Sequence, residues 1–174
     1  HLSQGAALAS GITDRFTSKV KRVTLCGLGG SAFPGDLLQV AIADLEIPFA
    51  VSRHYEVLAA QLSAEDLVIA SSFSGNTEES ISALDDALAR GAQVMVICAG
   101  GQMASAARAR DLPLVQLIKP TPTFQPRAAT GLFLGVLSAL LEDLGFFPGA
   151  RARLKEVGEA LKTLMEVEAE AEEI

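Results

Sequence analysis

Two short segments of this chain combine residue types that can hold an anion without a metal. The first reads Ser71-Ser72-Phe73-Ser74-Gly75-Asn76-Thr77-Glu78 and sets hydroxyls at 72, 74 and 77 around one glycine. Serine and threonine donate to phosphate oxygens without adding charge, and a helix opening here would supply free N–H groups and the positive end of its dipole. Ordinary capping by Ser74 or Asn76, with Glu78 or Glu79 in the first turn, accounts for one hydroxyl and leaves the cluster unexplained. The second segment, Gly27-Leu28-Gly29-Gly30-Ser31-Ala32, lets the backbone turn tightly and a ligand approach its amides. Gly27, Gly29 and Ala32 also fit the spacing of a dinucleotide-binding turn, and a tight turn with no ligand is the plain alternative. A third element, Gln125-Pro126-Arg127-Ala128-Ala129, opens an apolar helix. A cation in a first helical turn opposes the dipole, so Arg127 is poorly explained as surface decoration. Pro126 fixes the backbone ahead of it.

These segments need a frame that brings them together, and the hydrophobic pattern supplies one. Short apolar runs at 22–26, 49–52, 66–71, 93–98 and 113–117 alternate with helical stretches at 34–44, 56–61, 76–90 and 103–110. A helix over 2–16 precedes the first run, and one over 128–144 follows the last. Runs without period-two alternation predict strands covered on both faces, and alternation with helices predicts right-handed βαβ units. The expectation is a three-layer α/β/α sandwich around a five-stranded parallel sheet. In such sheets ligands bind beyond the carboxyl ends of the strands, near the switch in strand order, so the loops after Cys26, Ser71 and Cys98 are the candidates. Pro120, Pro122 and Pro126 stiffen the connection after the fifth strand. After Gly149 an amphipathic helix sets Leu154, Val157, Leu161, Leu164 and Val167 on one stripe, which needs something to lie against.

Composition narrows the partners. The 174 residues carry a formal net charge of −7 and 14 Lys and Arg with no basic block, which argues against a nucleic-acid surface. A phosphate would have to be held by local devices. No apolar run approaches the roughly 20 residues that span a bilayer, and no leader is evident, so a cytoplasmic protein is expected. Cys26 and Cys98 each end an apolar run and read as buried thiols. The chain begins at His1, as a part of a longer protein would.

The segment Ser72-Phe73-Ser74-Gly75-Asn76-Thr77 resembles the phosphate loop of the sugar isomerase (SIS) domain. Within that superfamily, Gly27 to Ser31 followed by Gly35-Asp36 is similar to the bifunctional phosphoglucose/phosphomannose isomerases. So are Pro126-Arg127-Ala128 and the Gly100-Gly101 turn, and Arg53-His54-Tyr55-Glu56 is similar to a short Asp-Tyr segment there. The likeness runs from about residue 20 to residue 147. It implies a SIS-type, flavodoxin-like sugar-phosphate-binding domain over 1–149, with 150–174 as a helical connector to a second SIS domain. The implied reaction is aldose–ketose isomerisation, taking glucose 6-phosphate or mannose 6-phosphate to fructose 6-phosphate through an enediolate. By the same resemblance Ser72, Ser74 and Thr77, with Ser31, hold the phosphate of the hexose 6-phosphate. Gly29 and Gly30 set amides near the reacting end, and Arg127 stabilises the enediolate. That family takes its base glutamate and ring-opening histidine from the second domain, and here His1 and His54 stand in no matching motif. The chain then supplies the phosphate-binding half, as a homodimer or beside a second SIS domain, without cofactor or metal. Two other readings stay open. One is a non-catalytic sugar-phosphate sensor. The other is an NADP-binding dehydrogenase domain, with Ser52-Arg53 seating a 2′-phosphate.

Overall fold

A computed structural model of the chain describes residues 1–41, 47–57, 59–119, 121 and 124–172, with 165–172 as backbone. The expected helix end at Asp44, the residues Pro120 and Pro122, and the side chain of Val167 lie outside the described residues. Five strands form one parallel sheet: β1 (Arg22–Cys26), β2 (Phe49–Ser52), β3 (Asp66–Ser72), β4 (Gln93–Cys98) and β5 (Leu114–Gln116). Their order is β2-β1-β3-β4-β5. The chain thus leaves β1 for β2 on one side and returns to β3 on the other. The direction of winding reverses between β1 and β3, and a crevice opens there between the loops that follow them.

Helices cover both faces. Leu67 and Ile69 of β3 join a core with α1 (Leu2–Leu8), α2 (Phe33–Ala41) and α5 (Thr130–Asp143), while Val68 and Ala70 join one with α3 (Glu78–Ala89) and α4 (Gly101–Ala109). All seven residues of β3 are buried, as the unbroken apolar run requires. Burying each large aliphatic chain contributes about 1.5–3 kcal/mol, so the sheet is held from both sides. Cys26 and Cys98 are buried thiols on β1 and β4, with β3 between them. Burial first, then the Asp86 carboxylate, pushes the Cys26 thiol up to about 12.

The amino end of the sheet is closed by charge. Arg22 Nε donates to Asp66 Oδ1 at 2.5 Å, and its Nη2 reaches the Gln61 carbonyl at 2.6 Å. Asp66 Oδ2 accepts from the Ser63 N–H and hydroxyl at 2.7 and 2.9 Å. Gln93 Oε1 accepts from the Thr17 N–H at 2.7 Å.

Three elements differ from the sequence expectation. The first helix ends at Leu8; the chain then tightens through Gly11 into a 3-10 turn, Ile12–Arg15, that buries Ile12. The described part of 56–61 is not helical. Its backbone groups are taken by α3 instead: Val57 N–H donates to Asp86 Oδ2 at 2.9 Å, and Arg90 donates to the Val57 and Ala59 carbonyls. The helix expected from Ala128 begins as a 3-10 turn, Pro126–Ala129, and becomes α5 at Thr130.

α1 lies against α5 backbone to backbone. A Cβ on Gly5 would stand 2.1 Å from the Leu132 carbonyl oxygen, and one on Gly135 would stand 2.1 Å from that of Leu2. The last helix, α6 (Ala150–Glu172), is tied down at its start by Arg151, which bridges Glu142 Oε2 at 2.6 Å and Asp143 Oδ1 at 2.7 Å. Leu154 is buried, whereas Val157, Leu161 and Leu164 of the same stripe are exposed. Among the described residues no helix is long and apolar enough to cross a membrane.

Candidate functional site

Register decides which loops meet. Cys26 pairs with Ser52 and Ala70, and Ser72 pairs with Cys98, so β1, β3 and β4 all deliver their loops to one end of the sheet. The loop after β3 carries the hydroxyls. Ser72 Oγ lies 2.7 Å from Thr77 Oγ1 and 3.4 Å from Ser74 Oγ, so the three hydroxyls form one cluster. Thr77 occupies the N-cap position of α3, yet its side chain makes no cap bond because the hydroxyl turns toward Ser72. The capping expected of Ser74 or Asn76 does not occur on α3. Ser74 Oγ accepts from the Asn76 N–H within the turn, and Asn76 Oδ1 accepts from the Gln102 N–H at 3.0 Å, capping α4 instead. The first turn of α3 therefore faces the hydroxyl cluster without a side-chain cap, a natural anion seat.

The loop is held by its neighbours. Gly75 has φ +71, and a Cβ there would meet the Gly100 carbonyl oxygen at 1.8 Å, which leaves glycine as the residue that fits. Gly75 in turn accepts from the Met103 N–H at 2.9 Å, and Phe73 accepts from the Ala99 N–H at 3.0 Å. Ser31, from the loop after β1, is 8 % exposed and links two loops. Its Oγ accepts from the Phe73 N–H at 3.0 Å, and its carbonyl accepts from Ser71 Oγ at 2.9 Å. With an acceptor site so engaged, the Ser31 hydroxyl still has its own proton to donate. Ser80 Oγ donates to the Ser71 carbonyl and completes the buried side of the cluster.

Arg127 arrives from the opposite direction in sequence. The turn Pro126–Ala129 packs on the turn Gly29–Ser31, where a Cβ on Gly30 would stand 3.5 Å from Arg127 Cα. Gly29, Gly30, Ser31 and Arg127 are thus neighbours, and Phe73 ties Ser31 to the hydroxyl loop. Arg127 is exposed, and among the described residues its guanidinium makes no hydrogen bond or ion pair, whereas the other eight arginines each contact a partner.

Sequence reasoning missed several participants. Ser71 and Ser80 looked like strand and helix residues, and Asn76 like a cap of its own helix, because their partners lie elsewhere in the chain. Tyr55, 53 % exposed, comes from the loop after β2 and lies beside Glu79 in the first turn of α3; that carboxylate, then burial, then Glu78 push its phenol up. Arg53 is committed to Asp36 on α2, so it is a poor seat for a cofactor 2′-phosphate. An open cleft of about 630 Å³ between α1 and α6, lined by Leu2, Gly131, Lys155, Glu159 and Lys162 among others, has no comparable convergence of hydroxyls.

Comparison with known proteins fits this geometry. A bifunctional phosphoglucose/phosphomannose isomerase of Caldicellulosiruptor bescii is 38 % identical over 148 residues, covering 84 % of this chain and 42 % of that protein. The Aquifex aeolicus protein of the same name is 31 % identical over 155 residues, covering 82 % and 44 %. The chain thus spans less than half the length of these relatives. Tagatose-6-phosphate ketose/aldose isomerase from Escherichia coli superposes with a TM-score of 0.64 at 19 % identity, over 94 % of this chain and 49 % of that one, a likeness of fold. The SIS domain profile matches residues 17–129, which hold β1 to β5 and all three loops described above, and the chain belongs to the SIS domain family.

Proposed function

We propose that this chain binds a hexose 6-phosphate at the hydroxyl cluster and supplies the phosphate-gripping half of an aldose–ketose isomerase. The observation that carries the proposal is the convergence of Ser72, Ser74 and Thr77 on the uncapped first turn of α3. Phosphate oxygens accept from the three hydroxyls and from helix N–H groups, and Ser31 adds a fourth hydroxyl from the neighbouring loop. The sugar extends toward the Gly29–Gly30 turn, where Arg127 stands with its guanidinium uncommitted among the described residues. There it stabilises the negative oxygen of the enediolate as a proton passes between C1 and C2, the kind of charge stabilisation that usually dominates catalysis.

Moving that proton needs a base within hydrogen-bond reach of the substrate carbon. The carboxylates beside the cluster, Glu78 and Glu79, sit in the first turn of α3, where their charge suits the helix dipole. In this reading residues 1–149 bind, 150–174 connect, and the base comes from a second SIS domain or a partner copy. Interconversion of glucose 6-phosphate, mannose 6-phosphate and fructose 6-phosphate is the reaction, as the names of the relatives suggest.

A thermal melt with fructose 6-phosphate tests the binding half. Ligand at about 100 times its dissociation constant stabilises by roughly 2.7 kcal/mol. The shift should be present in the wild-type chain and lost in Ser74→Ala. Equal shifts in both proteins, or none in the wild type, would overturn the assignment.

A further inference from the structure

A sugar phosphate brings close to two negative charges into a protein whose own net charge is −7. The hydroxyl cluster contributes none to oppose them, and Glu78 and Glu79 add two of the wrong sign. The cation supply at this end of the sheet can be counted. The loops beyond the strands, 27–32, 53–57, 73–77, 99–100 and 117–129, contain three Lys or Arg residues: Arg53, Lys119 and Arg127. Arg53 is neutralised by Asp36. Arg127 stands at the Gly29–Gly30 turn, which the proposed reading gives to the reacting end of the sugar. Lys119 is left.

Its position suits the role. Lys119 follows β5, and its Nζ rests over the ring of Phe73, 5.7 Å from the centroid. Phe73 is the residue between Ser72 and Ser74, and its backbone is fixed at both ends by Ser31 and Ala99. Phe124 also packs against this buried ring, tilted at 5.8 Å between centroids, so the ammonium rests on an apolar contact with a residue of the hydroxyl loop. That contact holds the charge without consuming it, since an aromatic face competes weakly with a phosphate oxygen for an ammonium. We propose that Lys119 is a second cation of the sugar-phosphate site, parked on Phe73 when the site is empty and turned onto the phosphate when substrate binds. The proposal rests on the phosphosugar reading of the hydroxyl loop.

Titration calorimetry with fructose 6-phosphate, inorganic phosphate and fructose tests it on the full chain at two salt concentrations. Lys119→Gln should weaken fructose 6-phosphate and inorganic phosphate about tenfold, as loss of one charged hydrogen bond does. Its binding should also respond less to salt than the wild type's. Lys119→Arg should stay within about threefold of wild type, and the ligand-free melts of all three proteins should coincide. Wild-type affinity in Lys119→Gln, beside a clear loss in Ser74→Ala, would sink the Lys119 assignment and leave the loop reading intact. Equal losses in the Gln and Arg variants, with lowered melts, would reduce Lys119 to a packing residue. No binding of fructose 6-phosphate by the wild type would overturn the loop reading and this proposal together.

Discussion

The two ends of the sheet are built from the same strands by opposite means. At the amino end charge is matched against charge: Arg22 with Asp66, Lys21 with Glu65, and the Gln93 amide against the backbone of Thr17 and Ser18. At the carboxyl end hydroxyls bond to one another, glycines let three loops interlock, and Arg127 is left without a partner among the described residues. The difference separates stability from binding. An end whose charges and amide are answered by neighbours contributes to holding the fold. An end whose clustered hydroxyls bond only to one another or within their own loop, beside an exposed cation, keeps them for something else.

The sharpest way to break this comparison is at Arg127. On the proposed reading, Arg127→Ala in the full-length protein that carries the base should lower kcat for hexose 6-phosphate interconversion by about 10²–10³, in the range seen when a single charge-stabilising donor is removed. Its unfolding free energy should move by less than about 0.5 kcal/mol, because the exposed side chain has no partner to lose among the described residues. A large stability loss would mean the two ends are not divided in this way.

Asp66→Asn is the mirror experiment. It should cost about 1–2 kcal/mol in a urea melt, since it removes charged hydrogen bonds to a side chain 10 % exposed while Arg22, at 39 %, remains partly solvated. Fructose 6-phosphate affinity should not change. Burial alone would push the Asp66 carboxyl up, but the bonds from Arg22 and Ser63 outweigh it and hold the group below the usual carboxylate range. The folded value is thus lower than the unfolded one. The associated stability is present above about pH 4 and is lost as pH falls through the folded value. The gap between wild type and Asp66→Asn should therefore close in melts run below pH 4.

The smallest effect belongs to the rim. Lys21 and Glu65 are 62 % and 50 % exposed, and Lys21→Ala should shift stability by less than about 0.5 kcal/mol. A cost as large as that at Asp66 would show that exposure does not grade the amino end.

Much of this was legible before any coordinates. Apolar runs near 22, 49, 66, 93 and 113 became strands because each is too short for a helix and is flanked by turn residues or helical pattern. The three loops were legible because glycine and hydroxyl clusters between strand and helix have few other uses. What escaped were bonds whose partners are far apart in the chain. Ser31 meets Phe73 across 42 residues and Asn76 meets Gln102 across 26, so neither pairing leaves a local trace. The non-helical course of the described part of 56–61 escaped for a related reason. Its composition permits a helix, but Asp86 and Arg90 claim its backbone groups from another element.

The backbone contact between α1 and α5 bears on how a mutational survey of this chain would read. Gly5 and Gly135 leave no room for a methyl group, and Gly75 leaves none either. A map of tolerated substitutions would therefore mark all three as equally unforgiving. The causes differ. A side chain at Gly5 or Gly135 pries two helices apart and should cut the amount of folded protein. One at Gly75 should distort the loop that meets the ligand before it empties the cell of protein. Scoring abundance beside function at these three positions would sort the glycines that serve the scaffold from the one that serves the site.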